Sequence, residues 1–204
     1  LLLLTSIFLI ACSANQASNK MTNSELENLA SKYGGVYVFN EKFEKEIEKQ
    51  EQIRDSKRKE ILERIKAIPN KNDRNKKMRE ILKLEFYNNP EMQQILSNGK
   101  PYYTINTYQK AVNLSKTYID KVIDYIGQEN YYKFTPDINV WSFYVDDNNN
   151  IVPIELTVTY NYKVKKYGLF GDEGRGFSLS KGEIHTARGG NKFILNNNKF
   201  EKAK

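Results

Sequence analysis

The chain has 204 residues, a formal net charge of +7 and a single cysteine. One cysteine cannot form an intramolecular disulfide, and the same count excludes a cysteine-rich metal site and a redox dithiol. The length suits one domain of ordinary size with an appendage, or two small domains.

The first eleven residues are almost all apolar, "LLLLTSIFLIA". As a helix they span about 16 Å, whereas a bilayer core needs about 20 apolar residues, so residues 1–11 predict the core of a signal peptide and not a membrane span. The run closes on Leu9, Ile10, Ala11 and Cys12. This tetrad resembles the lipobox of bacterial lipoproteins.

The resemblance implies that the Cys12 thiol carries diacylglycerol, that residues 1–11 are removed, and that the new amino terminus is acylated with a fatty acid such as palmitate. Two or three acyl chains hold a protein durably on a bilayer. Ser13 is not aspartate, which implies the outer membrane in a Gram-negative cell. The alternative is cleavage after Ala14 or Ala17, with Cys12 a free thiol of the signal peptide.

A lipidated flexible linker is predicted at residues 12–23, because small polar side chains without periodicity cannot bury a core. Ser24 and Glu27 form a capping-box pattern at the start of a short helix, which Gly34 and Gly35 end. The next residues, "VYVF" at 36–39, are typical of a strand.

Residues 41–87 predict a charged helical hairpin. Asn40 would cap a helix to about Ile68, and a second helix would run over 73–87. The expected apolar stripe of the first helix consists of Phe43, Ile47, Ile53, Ile61, Ile65 and Ile68. Its charges alternate in sign, which indicates a solvated face and makes nucleic acid an unlikely partner. The hairpin either projects toward a partner helix or lies on the sheet.

A long amphipathic helix is predicted over 105–126, with Ile119 deeply buried. After Pro136, strand patterns at 138–145, 156–164, 177–187 and 192–196 predict an antiparallel meander that covers this helix. The fold class is therefore α+β, with a helical region at 24–100 and an α+β domain at 101–204. The order of elements is similar to the NTF2-like fold, which implies no activity.

Candidate chemistry is sparse. His185 and Glu183 share a strand face, but one histidine leaves a metal site short of ligands, and no nucleophile motif accompanies them. The glycine-rich segment 168–177 lacks the lysine and hydroxyl of a phosphate loop and predicts a hairpin turn.

Tyrosine is abundant, with 14 residues in the chain. Exposed aromatic rings favour contacts with a protein or glycan, although they also suit the margin of a core. The candidate contact residues are Trp141, Tyr160, Tyr162 and Arg175.

Together these patterns favour a noncatalytic lipoprotein of the cell envelope, anchored to the lipid bilayer through Cys12, that binds or scaffolds an envelope protein or glycan. No cofactor is expected. One alternative is a small-ligand carrier or enzyme with a pocket between helix 105–126 and the sheet. Another is an exclusion or immunity lipoprotein, which residues alone do not distinguish.

Replacing Cys12 with serine removes the thiolate that acylation requires. We expect the protein either to leave the membrane fraction or to retain its signal peptide, as measured by fractionation and mass spectrometry. Unchanged membrane partitioning together with an unchanged mature mass would contradict lipid anchoring.

Overall fold

The protein is described by a computed structural model that covers residues 23–174 and 176–203. The predicted signal peptide, Cys12, nearly all of the predicted linker and the candidate contact residue Arg175 lie outside these described residues.

Helices occupy the first half of the described chain and one later segment. The α-helices are α1 (residues 23–33), α2 (Glu41–Lys66), α3 (Lys71–Ile81), α4 (Lys116–Ile126) and α5 (Gln128–Lys133). A π-helical segment, Leu82–Tyr87, continues α3, and a 3-10 turn follows at Pro90–Met92. Among residues 23–174 and 176–203, no helix is both long enough and apolar enough to cross a bilayer.

Seven strands make one mostly antiparallel sheet, which confirms the predicted α+β class. They are β1 (Gly35–Val38), β2 (Tyr102–Thr104), β3 (Asp137–Val145), β4 (Ile151–Asp172), β5 (Gly176–Ala187), β6 (Asn191–Asn196) and β7 (Lys199–Lys202). The strand order is β2-β3-β4-β1-β6-β7, and β5 pairs with β4. The short strands β2 and β7 were not predicted from the sequence.

The chain forms two compact units that interleave in sequence. Among the described residues, unit 1 contains 23–37, 116–139, 156–174 and 176–203, and unit 2 contains 38–115 and 140–155. The units therefore differ from the consecutive segments 24–100 and 101–204 expected from the sequence.

Unit 1 is built around an aromatic cluster. Tyr37 of β1 is fully buried, and its ring lies 4.6 Å from the ring of Phe193, 5.0 Å from Phe200 and 5.9 Å from Tyr125. Its hydroxyl donates to the carbonyl oxygen of Tyr33 at 2.8 Å, so the burial of the phenol leaves no polar atom unpaired. Burial also raises the pKa of Tyr37 well above its usual range.

Two glycines let backbone segments of unit 1 approach closely. Gly35 has a φ of +142°, and a Cβ there would lie 2.0 Å from the carbonyl oxygen of Asn191. Gly189 has a φ of +62°, and its Cβ would lie 2.3 Å from the carbonyl oxygens of Ala30 and Gly34. Any side chain at either position would force the end of α1 away from the turn before β6.

Unit 2 has two apolar clusters, one toward each end of α2. Near its start, Ile47 packs with Leu96, Tyr102 and Ile154, and the ring of Phe43 meets that of Tyr144. The second cluster consists of Ile61, Ile65, Ile81, Phe86 and Met92. The predicted cap is present, because the Asn40 side chain accepts a hydrogen bond from the amide of Phe43 at 3.0 Å. The first turns of α2 therefore lie against strand residues, and its last turns pack on α3.

The prediction of one helix from 105 to 126 is wrong in its first half, because α4 begins at Lys116. A local turn occupies the expected start of the helix, where the Thr107 hydroxyl accepts from the amide of Thr104 at 2.9 Å. The ring of Tyr108 lies 5.0 Å from that of Tyr103 and 5.1 Å from that of Phe143. Tyr108 is therefore half-buried against other aromatic rings and does not belong to a helix face.

The apolar stripe of α4 is centred on Val122 and Ile126, which are buried, while Ile119 is only half-buried. The expectation that Ile119 is deeply buried is therefore wrong. Residues 105–115 lie outside α4, so their apolar periodicity adds no residues to its buried face.

Ile126 and Ile119 provide a matched pair on one helix. We expect Ile126→Ala to lower the free energy of unfolding by about 2–5 kcal/mol through lost burial and a cavity, and Ile119→Ala to cost clearly less. Urea denaturation followed by circular dichroism measures both values. Equal losses would show that the two side chains are buried to the same degree.

Candidate functional site

Arg54 interrupts the buried stripe of α2. Buried residues of this helix recur at Ile47, Arg54 and Ile61, seven positions apart, and Arg54 is only 9% exposed. The sequence-based stripe assigned Ile53 to this place, but Ile53 is exposed. The burial of Arg54 could have been predicted from the sequence, because Arg54 lies seven residues from both Ile47 and Ile61 and residues seven apart share one face of a helix.

The Arg54 guanidinium is held from three sides. Nη1 donates to the main-chain oxygen of Met92, and Nε lies 3.2 Å from Oε1 of Glu51, without the alignment of a hydrogen bond. The guanidinium carbon is 4.7 Å from the centre of the Phe86 ring. The guanidinium of Arg58 also lies over that ring, at 4.9 Å. Such contacts keep a desolvated cation paired with opposite charge and with π electrons.

Glu51 links Arg54 to the sheet and the following loop. Its Oε1 accepts from the Tyr102 hydroxyl at 2.6 Å and from Nε2 of Gln94 at 2.9 Å. Burial and the Glu51 hydrogen bond together raise the pKa of Tyr102 well above its usual range. The phenol therefore stays protonated and keeps donating to Oε1 of Glu51.

The π-helical segment presents Phe86 and Tyr87 beside Arg54. The inserted residue of a π-helix rotates the following side chains, and such segments are frequent at functional sites. Glu85 accepts a two-pronged hydrogen bond from Arg64, with oxygen–nitrogen distances of 2.7 and 2.8 Å, and lies 3.0 Å from Nζ of Lys57. These cations lower the pKa of Glu85 to about 2. The segment is thereby tied back to α2.

A cleft of about 420 Å³ opens over this arrangement, and we call it the Arg54 cleft. It is lined by Arg54, Phe86, Tyr87, Met92, Gln93, Gln94, Ile95, Pro101, Tyr102, Tyr103 and Thr107. A second hollow of about 190 Å³ shares Arg54, Phe86 and Tyr87 with it. Phe86 and Tyr87 therefore separate two adjoining apolar depressions of unit 2.

The lining of the Arg54 cleft consists mainly of aromatic, aliphatic and amide side chains. Among its described residues there is no carboxylate, histidine, lysine or cysteine, and Thr107 provides the single aliphatic hydroxyl. That hydroxyl is already hydrogen-bonded within the turn at Thr104. The cleft thus offers aromatic and aliphatic surface, side-chain amides and the phenols of Tyr87 and Tyr103.

The candidate contact residues found from the sequence lie elsewhere. Trp141 of β3 is half-exposed and belongs to unit 2. Tyr160 is 1% exposed, so its ring has no free surface for a partner, and burial raises its pKa to about 12. Tyr162 is half-buried, and its hydroxyl donates to Glu27 at 2.7 Å. Tyr160 and Tyr162 share one face of β4 in unit 1.

His185 and Glu183 lie close together on β5, but their geometry does not suit acid–base work. Glu183 lies 2.7 Å from Nζ of Lys166 and 3.8 Å from Nε2 of His185. The Lys166 hydrogen bond is the largest cause of the lowered pKa of Glu183. The carboxylate is already ion-paired, and the imidazole lies on an exposed strand.

A further cleft of about 500 Å³ lies between α4 and β7 within unit 1, and it is lined by Lys121, Asp124, Tyr125, Asn198, Lys199 and Phe200. Lys121 donates to the side chain of Asn198. Within residues 23–174 and 176–203, no group of three or more histidine, cysteine or acidic side chains is arranged to hold a metal ion.

No family model, curated protein or solved structure matches this chain. The lipobox and the NTF2-like order of elements therefore remain predictions from the sequence.

The Glu51 network can be tested with a matched pair of variants on α2. We expect Glu51→Gln to destabilise the protein by about 1–3 kcal/mol, because Arg54 keeps its charge but loses its counter-charge in a desolvated place. Glu48→Gln, at an exposed position of the same helix, should have little effect. Chemical denaturation compares the two, and a Glu51→Gln protein as stable as the wild type would show that the network contributes nothing.

Proposed function

We propose that this protein is a noncatalytic lipoprotein of the cell envelope, that acylated Cys12 holds it on a membrane, and that the Arg54 cleft binds a segment of a partner protein. The observation that carries the binding role is the cleft itself, which combines apolar rings with a polar base whose groups already bond each other. The lipobox tetrad supports the anchor.

The chemistry of the lining favours a polypeptide over a glycan. Met92, Ile95 and Pro101 add aliphatic surface to the rings, which suits an apolar side chain of a partner. Sugar hydroxyls need several directed acceptors, and the described lining contains no carboxylate. Gln93 is exposed beside the cleft, where its amide can meet the backbone of an extended segment, whereas the amide of Gln94 is held by Glu51.

Tyr87 is the residue best placed to touch such a partner. It is 68% exposed, it lines both depressions, and its ring packs edge-on against Phe86 with centroids 5.5 Å apart. An aromatic ring supported by a second ring supplies contact area with little loss of side-chain freedom on binding. Tyrosines of this kind are common among residues that dominate binding energy.

A small-ligand carrier is the second candidate, and the cleft between α4 and β7 supports it. Its volume of about 500 Å³ lies in the range of small-molecule sites, and Lys121 and Asp124 bring opposite charges to it. A small molecule found by native mass spectrometry on the purified protein would favour this candidate.

The binding role is tested with a photocrosslinking residue, p-benzoylphenylalanine, in place of Tyr87 in the membrane-anchored protein in its native host. We expect irradiation to give one adduct of discrete larger mass, whose tryptic peptides come from this protein and from one second protein. Tyr132, a tyrosine of unit 1 that is 72% exposed, is the matched control position and should give no such adduct.

Three results would contradict the proposal. Equal adducts at both positions would indicate non-specific contact, and an adduct that contains no second protein and loses its extra mass with glycosidases would indicate a glycan. The absence of any adduct at Tyr87 would show that the cleft has no partner in the cell.

A further inference from the structure

The distal part of β4 and the whole of β5 form a two-stranded ribbon within unit 1. Tyr160 pairs with Ala187 at one end and Asp172 with Gly176 at the other, with a register shift between Tyr167 and Phe170. Among the described strands, β5 has no partner but β4. Two strands alone cannot bury large apolar side chains. Apolar residues exposed on such a ribbon therefore indicate that it contacts another surface.

The ribbon exposes large apolar side chains at a density found nowhere else in the described chain. Five of its residues are more than 60% exposed, and they are Tyr167, Leu169, Phe177, Leu179 and Ile184. Four of them lie within a few rungs of the turn at 173–174. Contiguous exposed apolar surface of this kind marks an interaction site.

Both faces of the ribbon carry the same order of side chains. Alternation along β5 places Phe177, Leu179 and then Lys181 on one face, and Lys181 pairs with Lys166. The pairing with Ser178, Ser180 and Gly182 places Phe170, Tyr167 and then Lys165 on the other face, and Lys163 follows, paired with the exposed Ile184. Each face is therefore apolar near the turn and carries lysines farther along, with Ile184 among the lysines of the second face.

The arrangement of apolar side chains and lysines on both faces distinguishes a membrane surface from a protein partner. A protein partner or a second copy would cover one face of a ribbon, and only that face would need apolar side chains. A bilayer surface surrounds an inserted ribbon on both faces and adds anionic phosphates at one level behind the apolar zone. Nζ of Lys165 lies 5.8 Å from the ring of Tyr167, so cation and ring meet where headgroups would lie.

We infer that the distal ribbon is a second membrane-contact site, in which Tyr167, Phe170, Phe177 and Leu179 enter the headgroup region of an anionic phospholipid surface and Lys163, Lys165, Lys166 and Lys181 bind its phosphates. Glu183 neutralises part of this charge through Lys166. Glu173 in the turn and the open edge of β5 limit the ribbon to the interface, because neither belongs in hydrocarbon.

The inference is independent of Cys12 and is tested without it. The full chain carrying Cys12→Ser and Ser178→Cys has one thiol, since Cys12 is the only cysteine, and that thiol is labelled with the fluorophore NBD. Vesicles of phosphatidylcholine alone are compared with vesicles of phosphatidylcholine mixed with phosphatidylglycerol. We expect a blue shift and brighter emission with the anionic vesicles and a much smaller change with the neutral ones.

The control label is placed on α2 by Cys12→Ser with Ser56→Cys, at another exposed serine. It should not respond, even if residues 1–11 adsorb to the vesicles. Equal responses at both positions, or none at Ser178→Cys, would overturn the inference. A shift without vesicles that grows with protein concentration would also overturn it and would identify a second copy as the occupant.

Substitutions distinguish the contribution of the apolar side chains to membrane binding from that of the lysines. Phe177→Ser with Leu179→Ser should lower partitioning by about tenfold, whereas the matched exposed pair Leu84→Ser with Tyr132→Ser should leave it unchanged. Lys165→Gln and Lys181→Gln should each lower it by about fivefold, and high salt should have the same effect. If these ribbon variants unfold at the same temperature as the unchanged protein and partition to vesicles equally well, the ribbon does not bind the membrane.

Discussion

The burial of Arg54 is the constraint on which unit 2 depends. A guanidinium removed from water without partners is strongly destabilising, so its position in the apolar stripe of α2 requires several other groups to converge on it. The main-chain oxygen of Met92, the carboxylate of Glu51 and the ring of Phe86 meet this requirement. They come from the 3-10 turn, from α2 itself and from the π-helical segment, so one cation aligns three pieces of chain.

The same constraint explains why a cleft exists. Phe86, Tyr102 and Gln94 are held around Arg54 at the base of the cleft, while Tyr87 beside them stays 68% exposed. Glu51 is occupied by Tyr102, Gln94 and Arg54, and Glu183 on the ribbon is occupied by Lys166. Carboxylates already committed to cations and donors stabilise structure and are poor acid–base catalysts.

The regular elements followed from local pattern. The cap at Asn40, the end of α1 at Gly34 and the alternation from Leu156 to Tyr160 are properties of short stretches, and each is present in the structure. Errors arose where a neighbour in space overrode the local pattern. Residues 105–115 have helical periodicity, yet the Thr107 turn and the rings around Tyr108 leave them outside any helix.

The sequence by itself determined most of the helices and strands in chain order, apart from β2, α5, β7 and the start of α4. It also determined the lipobox tetrad and the mixed charge of the hairpin, because these depend on spacing along the chain. Only the tertiary structure decided that Arg54, and not Ile53, faces the core, that Glu51 meets Tyr102 across 51 residues, and that Tyr160 is buried. The same holds for the ribbon, where pairing of β4 with β5 places apolar and cationic side chains in the same order on both faces. Such arrangements depend on strand register and on contacts between distant segments, and a one-residue change of register would exchange the two faces of a strand.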